Sequence, residues 1–166
     1  MTDNSKSCKM IPNTDSIVGE DIVMLTDNLL LASSDDRRKL WLYRDDGSSP
    51  EMGGPANTED GALFLVDISD STVEPKKVKI LNFPRQLAFH PHGLALFKTE
   101  EKTTIFVINH AYERGGERIE VLTYEDDGQI YYKNSFTNNK FFNKESMGNL
   151  NALVAFDERE IYVTEI

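Results

Sequence analysis

The chain has 166 residues, 39% of them apolar and 28% charged, which suffices for one soluble domain with a sizeable core. Its 28 acidic against 18 basic residues leave a formal charge of −10; this argues against nucleic acid as a partner, because a phosphate backbone is bound through clustered Lys and Arg. No apolar run approaches the ~20 residues of a membrane-spanning helix, and the acidic excess suits a cation partner, although most such charge is only a solvated surface.

Residues 1–18 form a polar N-terminal segment in which apolar residues are single and scattered. The first fifteen lack the apolar stretch of a secretory signal peptide, so the expected compartment is the cytoplasm, unless the natural N-terminus lies upstream. Cys8 is the single cysteine; it allows no internal disulfide, and it fits a reducing compartment or a lost partner equally well.

From residue 19 onward strand signals dominate and no helical period runs beyond about two turns. Short runs rich in β-branched and aromatic residues predict strands over 22–25, 29–32, 62–66, 78–82, 93–97, 104–109, 119–124, 130–132, 153–156 and 161–163. Turn signals such as Asp45-Asp46-Gly47 and Asp126-Asp127-Gly128 separate many of them. Residues 35–60, with Asp35-Asp36-Arg37-Arg38 and then a Gly/Ser/Pro-rich stretch, read as a long loop between two strands.

The strands fall into a repeat. One unit runs from Gly19 to Asn82, its last strand being Val78-Lys79-Ile80-Leu81; a second runs from His90 to Phe136; a third opens at Asn149-Leu150-Asn151 and reaches Ile161-Tyr162-Val163. Four strands per unit of ~45 residues is the pattern of β-propeller blades. The fold class expected is therefore all-β, a partial propeller of about two and a half blades over 19–166. Because a propeller closes with at least about four blades, the chain is expected to be a truncated piece or to pair with something else. The abrupt stop after a second blade strand supports truncation, since a free strand edge is a liability that intact domains manage.

Each unit opens with polar residues just before its first strand: Gly19-Glu20-Asp21, His90-Pro91-His92-Gly93 and Asn149-Leu150-Asn151. The innermost strands of successive blades surround one channel, so equivalent positions converge in space. Carboxylate and amide oxygens converging on an axis suit Ca²⁺, which takes six to eight oxygen ligands; Glu20 and Asn151 are the natural candidates. His92 starts an inner strand and His110 ends its neighbour, and in an antiparallel pair those ends meet. A His pair beside a cation can activate water while the cation polarises a carbonyl. Both imidazoles could equally serve only to satisfy strand ends, and position alone leaves the two readings open. His90 reads as structural.

Other chemistries lack support. There is no Gly-x-Ser-x-Gly elbow, Cys8 has no neighbouring His in the sequence, Gly115-Gly116 lies in a charged hairpin without phosphate-loop context, and no Asn-x-Ser/Thr acceptor occurs.

The segments Gly19-Glu20-Asp21, Phe89-His90-Pro91-His92-Gly93-Leu94, Val107-Ile108-Asn109-His110 and Asn149-Leu150-Asn151, in this order and spacing, resemble motifs of the serum paraoxonase/arylesterase family. The resemblance covers nearly all of the chain after Cys8. It implies a six-bladed propeller with two calcium ions, an extracellular location, and calcium-dependent hydrolysis of aryl esters and lactones. It further implies that Glu20 and Asn151 hold the catalytic calcium, that His92 is the general base with His110 as its dyad partner, and that Asp21 and the Leu94 carbonyl serve the structural calcium. Cys8 falls near a family cysteine whose disulfide partner lies beyond this chain. Three features depart from the family: Ala152 replaces an acidic ligand of the structural calcium, the remaining catalytic-calcium ligands belong to later blades, and the 35–60 insertion differs. Weak or no activity is therefore expected of this polypeptide alone, and a catalytically incompetent propeller piece acting only through binding is the alternative.

Overall fold

The structure, a computed structural model, describes residues 19–35, 60–70, 72–111, 114–137 and 150–165. The polar N-terminal segment with Cys8, and all of the 35–60 loop except its end residues, lie outside the described residues.

Every regular element among the described residues is a β-strand. The first sheet comprises β1 (Gly19–Met24), β2 (Leu29–Ser34), β3 (Ala62–Asp67) and the two-residue β4 (Lys76–Lys77), in that order. The second holds β5 (Ile80–Leu81), β6 (Pro91–Lys98), β7 (Thr103–Ala111), β8 (Gly116–Tyr124) and β9 (Ile130–Phe136), ordered β5-β9-β8-β7-β6. The third consists of β10 (Leu150–Ala155) and β11 (Ile161–Glu165). All but one of the strand pairs among the described residues are antiparallel; Gly116 (φ 73°) and Gly128 (φ 74°) take the left-handed backbone that the β7–β8 and β8–β9 hairpins need.

One expectation is corrected. Val78-Lys79-Ile80-Leu81 does not form a single fourth strand of the first unit. Lys76–Lys77 pairs with β3, whereas Ile80–Leu81 pairs parallel with β9 and adds a fifth strand to the second sheet. The chain here is crossing between sheets, and Asn82 (φ 61°) turns it. Phe83 then packs edge-on against Phe89 and Tyr132, with ring centroids 5.2 and 5.5 Å away.

Two apolar layers hold the three sheets together. Leu31 and Leu63 of the first sheet meet Leu94, Ile105, Val107 and Leu122 of the second. Phe106, Ile108 and Val121, on the opposite face of the second sheet, meet Leu150 and Leu153 of the third. Strand alternation explains how one sheet feeds both layers, since neighbouring side chains point to opposite faces. Each fully buried Leu, Ile or Phe contributes about 1.5–3 kcal/mol. As a result β6 lies beside both β1 and β10, and the opening strands of the three units stand next to one another.

Register exposes how literal the repeat is. Val23 pairs with Leu31, Ala95 with Phe106 and Val154 with Tyr162. The first two pairs face the next sheet, whereas Val154 and Tyr162 are more than 60% exposed. On the other face, Leu94 and Leu153 pack on the preceding sheet while their equivalent Ile22 is 61% exposed. The two outer faces therefore carry the same apolar positions that are covered between the sheets.

Candidate functional site

The three opening strands share one irregularity. Pairing runs Gly19↔Ser34 then Ile22↔Ala32 in the first sheet, Pro91↔Asn109 then Leu94↔Val107 in the second, and Leu150↔Glu165 then Leu153↔Val163 in the third. In each case the opening strand holds one more residue than its partner, a β-bulge, and bulges re-aim side chains. The bulged pairs are Glu20-Asp21, His92-Gly93 and Asn151-Ala152, so the candidate residues sit at one repeated backbone feature.

Local hydrogen bonds brace the bulges. The Ser33 hydroxyl accepts from Asp21 N (3.1 Å) and donates to the His92 carbonyl (2.5 Å), tying the first sheet to the second. Thr164, its equivalent in the third sheet, accepts from Ala152 N (3.1 Å) and donates to the Ala152 carbonyl (3.3 Å). The middle sheet has Ile108 at this place and Gly93 opposite, where a Cβ would meet the Asn151 carbonyl at 2.7 Å. Glycine is required there by the close approach of the third sheet's backbone.

His92 and His110 meet at the mouth between β6 and β7, with 2.7 Å between Nδ1 of His92 and Nε2 of His110. Their rings cross at 77° with centroids 4.8 Å apart. Carboxylates close both ends of the pair. Glu20 Oε1 lies 2.8 Å from His92 Nε2, and Glu117 Oε1 lies 3.1 Å from His110 Nδ1. Two neutral imidazoles carry two hydrogens, enough for the His110–Glu117 and His92–His110 contacts.

Asp21 acts across the sheets through backbone. Its Oδ2 accepts from Leu94 N and its Oδ1 from Ile22 N, both at 2.8 Å. Leu94 thus meets Asp21 through its amide nitrogen. Asn151 joins the group through its main chain, its carbonyl lying against Gly93. His90 is fully buried, with Nδ1 3.2 Å from Asp35 Oδ1 and its amide donating to Asn109 Oδ1 at 2.7 Å; these are the contacts of a structural residue.

Two acidic residues of this region were not singled out by the sequence. Glu117 faces His110 directly in the β7–β8 register and also accepts from Leu150 N at 3.1 Å. Glu120 is fully buried and accepts from Asn109 Nδ2 (2.7 Å) and from the Ser135 hydroxyl. Burial pushes its carboxyl above the usual range, opposed by these bonds and by Arg118. Asn109 in turn holds the Ala88 carbonyl at 2.9 Å and the His90 amide, fixing the segment that leads into His92. A Glu inside the apolar run Ile119-Glu120-Val121-Leu122 was the available signal.

The described residues by themselves do not make a calcium site. No group of three or more His, Cys, Asp or Glu side chains among them is arranged to hold a metal ion. Both Asp21 oxygens take backbone N–H groups and Glu20 Oε1 stands against His92, leaving too few oxygens for an ion that needs six to eight.

A set of bulged antiparallel strands presenting a His pair between carboxylates defines an all-β protein whose titratable side chains gather at its sheet ends. Residues 46–166 match the arylesterase family, and the chain belongs to it. It is 24% identical over 116 residues to serum paraoxonase/lactonase 3 of Oryctolagus cuniculus and 25% identical over 117 residues to that of Homo sapiens. Each alignment covers 69% of this chain and 31% of the relative, so the chain spans about a third of the length of these relatives.

Proposed function

We propose that this chain forms part of a six-bladed β-propeller hydrolase of small aryl esters and lactones, with His92 as general base and His110 as its partner. The observation that carries the proposal is the 2.7 Å His92–His110 contact closed at both ends by Glu20 and Glu117. The propeller reading rests on the repeated bulges and on outer faces that repeat the positions packed between the sheets. Family membership supports the substrate class.

The proton count gives the chemistry. In the base form the two imidazoles carry two hydrogens: His110 Nδ1–H points to Glu117, and His92 Nδ1–H points to His110 Nε2. His92 Nε2 then holds a lone pair. As a water oxygen attacks the ester carbonyl, its proton goes to that lone pair, and the resulting positive charge lies between Glu20 and Glu117. Collapse of the tetrahedral intermediate breaks the acyl C–O bond, and the proton passes to the leaving phenoxide or alkoxide. Calcium belongs to the proposal through family likeness only, with Glu20 and Asn151 as this chain's ligands; bound there it would polarise the carbonyl. The steps assigned to His92 and His110 concern the proton alone.

A second reading, a non-catalytic member that acts by binding, is favoured by Ala152 and by the incomplete metal set. Calorimetric calcium titration with phenyl acetate and lactone assays decides between them. For this polypeptide alone weak turnover is expected; in a protein that also supplies the remaining blades, saturable calcium binding with turnover that falls about 10²–10⁴-fold in His92→Gln is the expected result. Turnover undiminished by that substitution would sink the base assignment, and absence of both binding and turnover would leave the second reading.

A further inference from the structure

We infer that Glu117 is a positioning residue that sets the hydrogen-bonding direction of the His pair and couples it to the docking of the third sheet. Its catalytic consequence rests on the function proposed above, but the structural coupling does not.

A single oxygen, Oε1 of Glu117, accepts at 3.1 Å from two directions, His110 Nδ1 within the second sheet and Leu150 N of the third. A carboxylate only accepts, so the hydrogen of that first contact must sit on His110 Nδ1. His110 Nε2 is then left as an acceptor, and the 2.7 Å contact can only be a donation from His92 Nδ1. The lone pair of the pair is thereby placed on His92 Nε2, the atom beside Glu20. Without Glu117 the opposite tautomer of His110 would reverse this order, and His92 would donate from Nε2 and accept at Nδ1. That form has no lone pair on the side that faces Glu20.

The second contact explains why Glu117 suits the task. Leu150 is the residue immediately before the third bulge and pairs ahead of it. Its amide is 3.1 Å from the same oxygen that orients His110, so seating of the third sheet and orientation of the dyad share one anchor. The side chain of Glu117 is 4% exposed, which makes a lost bond costly to replace with water. The hairpin register supports the pairing: His110 lies directly opposite Glu117 across β7 and β8.

The test uses the full chain labelled with ¹⁵N-histidine. Long-range ¹H–¹⁵N spectra of the wild type should show His110 as the Nδ1–H tautomer; the Nε2–H tautomer there overturns the inference at once, whatever the variants do. Glu117→Leu removes both acceptor contacts, while Glu117→Gln retains an acceptor oxygen. In the leucine variant His110 should lose its single tautomer, and the Leu150 amide should exchange about tenfold faster, the equivalent of one lost hydrogen bond. The glutamine variant should restore both towards wild type. A leucine variant whose tautomer and exchange are unchanged refutes the coupling. Loss of His92-dependent turnover with these spectra intact would strike the proposed function and leave the coupling standing.

Discussion

Replacing Gly93 by alanine tests the packing that brings the third sheet to the site. A Cβ at this position would stand 2.7 Å from the Asn151 carbonyl oxygen and 3.1 Å from both Ile108 Cδ1 and Leu153 Cδ2. The nearest of these is backbone, so the strain cannot be relieved by a rotamer change; β10 must move away from β6 by several tenths of an ångström. Overpacking of this kind costs about 1–3 kcal/mol, and at about 2–4 °C per kcal/mol for a chain of this size the melting temperature should fall by roughly 3–10 °C. Gly19→Ala is the control, since a Cβ there meets nothing within 4 Å, and it should melt at or slightly above the wild-type temperature. Thermal unfolding followed by circular dichroism reads both. Any turnover should fall more in Gly93→Ala than the stability loss explains, because the Asn151 bulge is displaced while the His pair is untouched. A Gly93→Ala protein that melts within a degree of wild type would refute the close approach of β10 to β6.

Glu120→Gln should stabilise the chain selectively at higher pH. Burial raises the Glu120 carboxyl, so its neutral form is the one the fold favours; the wild type has full stability below the ordinary carboxylate range and loses it as pH rises through the raised value. Glutamine can still accept from Asn109 and donate to Ser135, so the variant's melting temperature should exceed wild type at pH 8 and converge with it near pH 4; a constant difference across that range would contradict this. Asp21→Ala should cost about 1–3 kcal/mol by stripping the Leu94 amide of its acceptor, whereas Asp21→Asn keeps one acceptor oxygen and should lose less in urea unfolding. Equal losses in the two variants would mean that the carboxylate charge matters to stability more than its hydrogen bonds.

Strand alternation made much of the scaffold legible. The apolar runs around Leu31, Ile105, Val121 and Val163 are strands because β-branched and apolar residues recur with period two between turn signals, and the approach of His92 to His110 follows from antiparallel pairing alone. The bulges were not legible: an extra residue in one strand leaves no mark in composition, since the side chains on either side remain ordinary. The division of residues 76–81 between two sheets was hidden for a similar reason, as Val78 and Ile80 are equally apolar and only the three-dimensional crossing separates them. Glu117 could have been found by counting back from the Gly115-Gly116 turn to the residue opposite His110. Glu120 was in view as a charge within an apolar strand, but its partners Asn109 and Ser135 lie on different strands, and no spacing rule joins them.

The repeated bulge makes each opening strand a two-residue cassette on a common mount. The first slot holds Glu20, His92 or Asn151, and the second holds Asp21, Gly93 or Ala152. A unit duplicated with its bulge inherits a side chain already mounted at the same sheet end, so new chemistry there requires a substitution and no change of backbone. The second slot shows the range this permits: in the first sheet it carries a carboxylate that grips the neighbouring sheet's amide, and in the second it must be empty to admit the neighbouring carbonyl. In the third, a methyl group occupies the place from which Asp21 reaches across. Charge, void and methyl are thus three settings of one inherited position, and what the site can bind is decided by which setting each copy has taken.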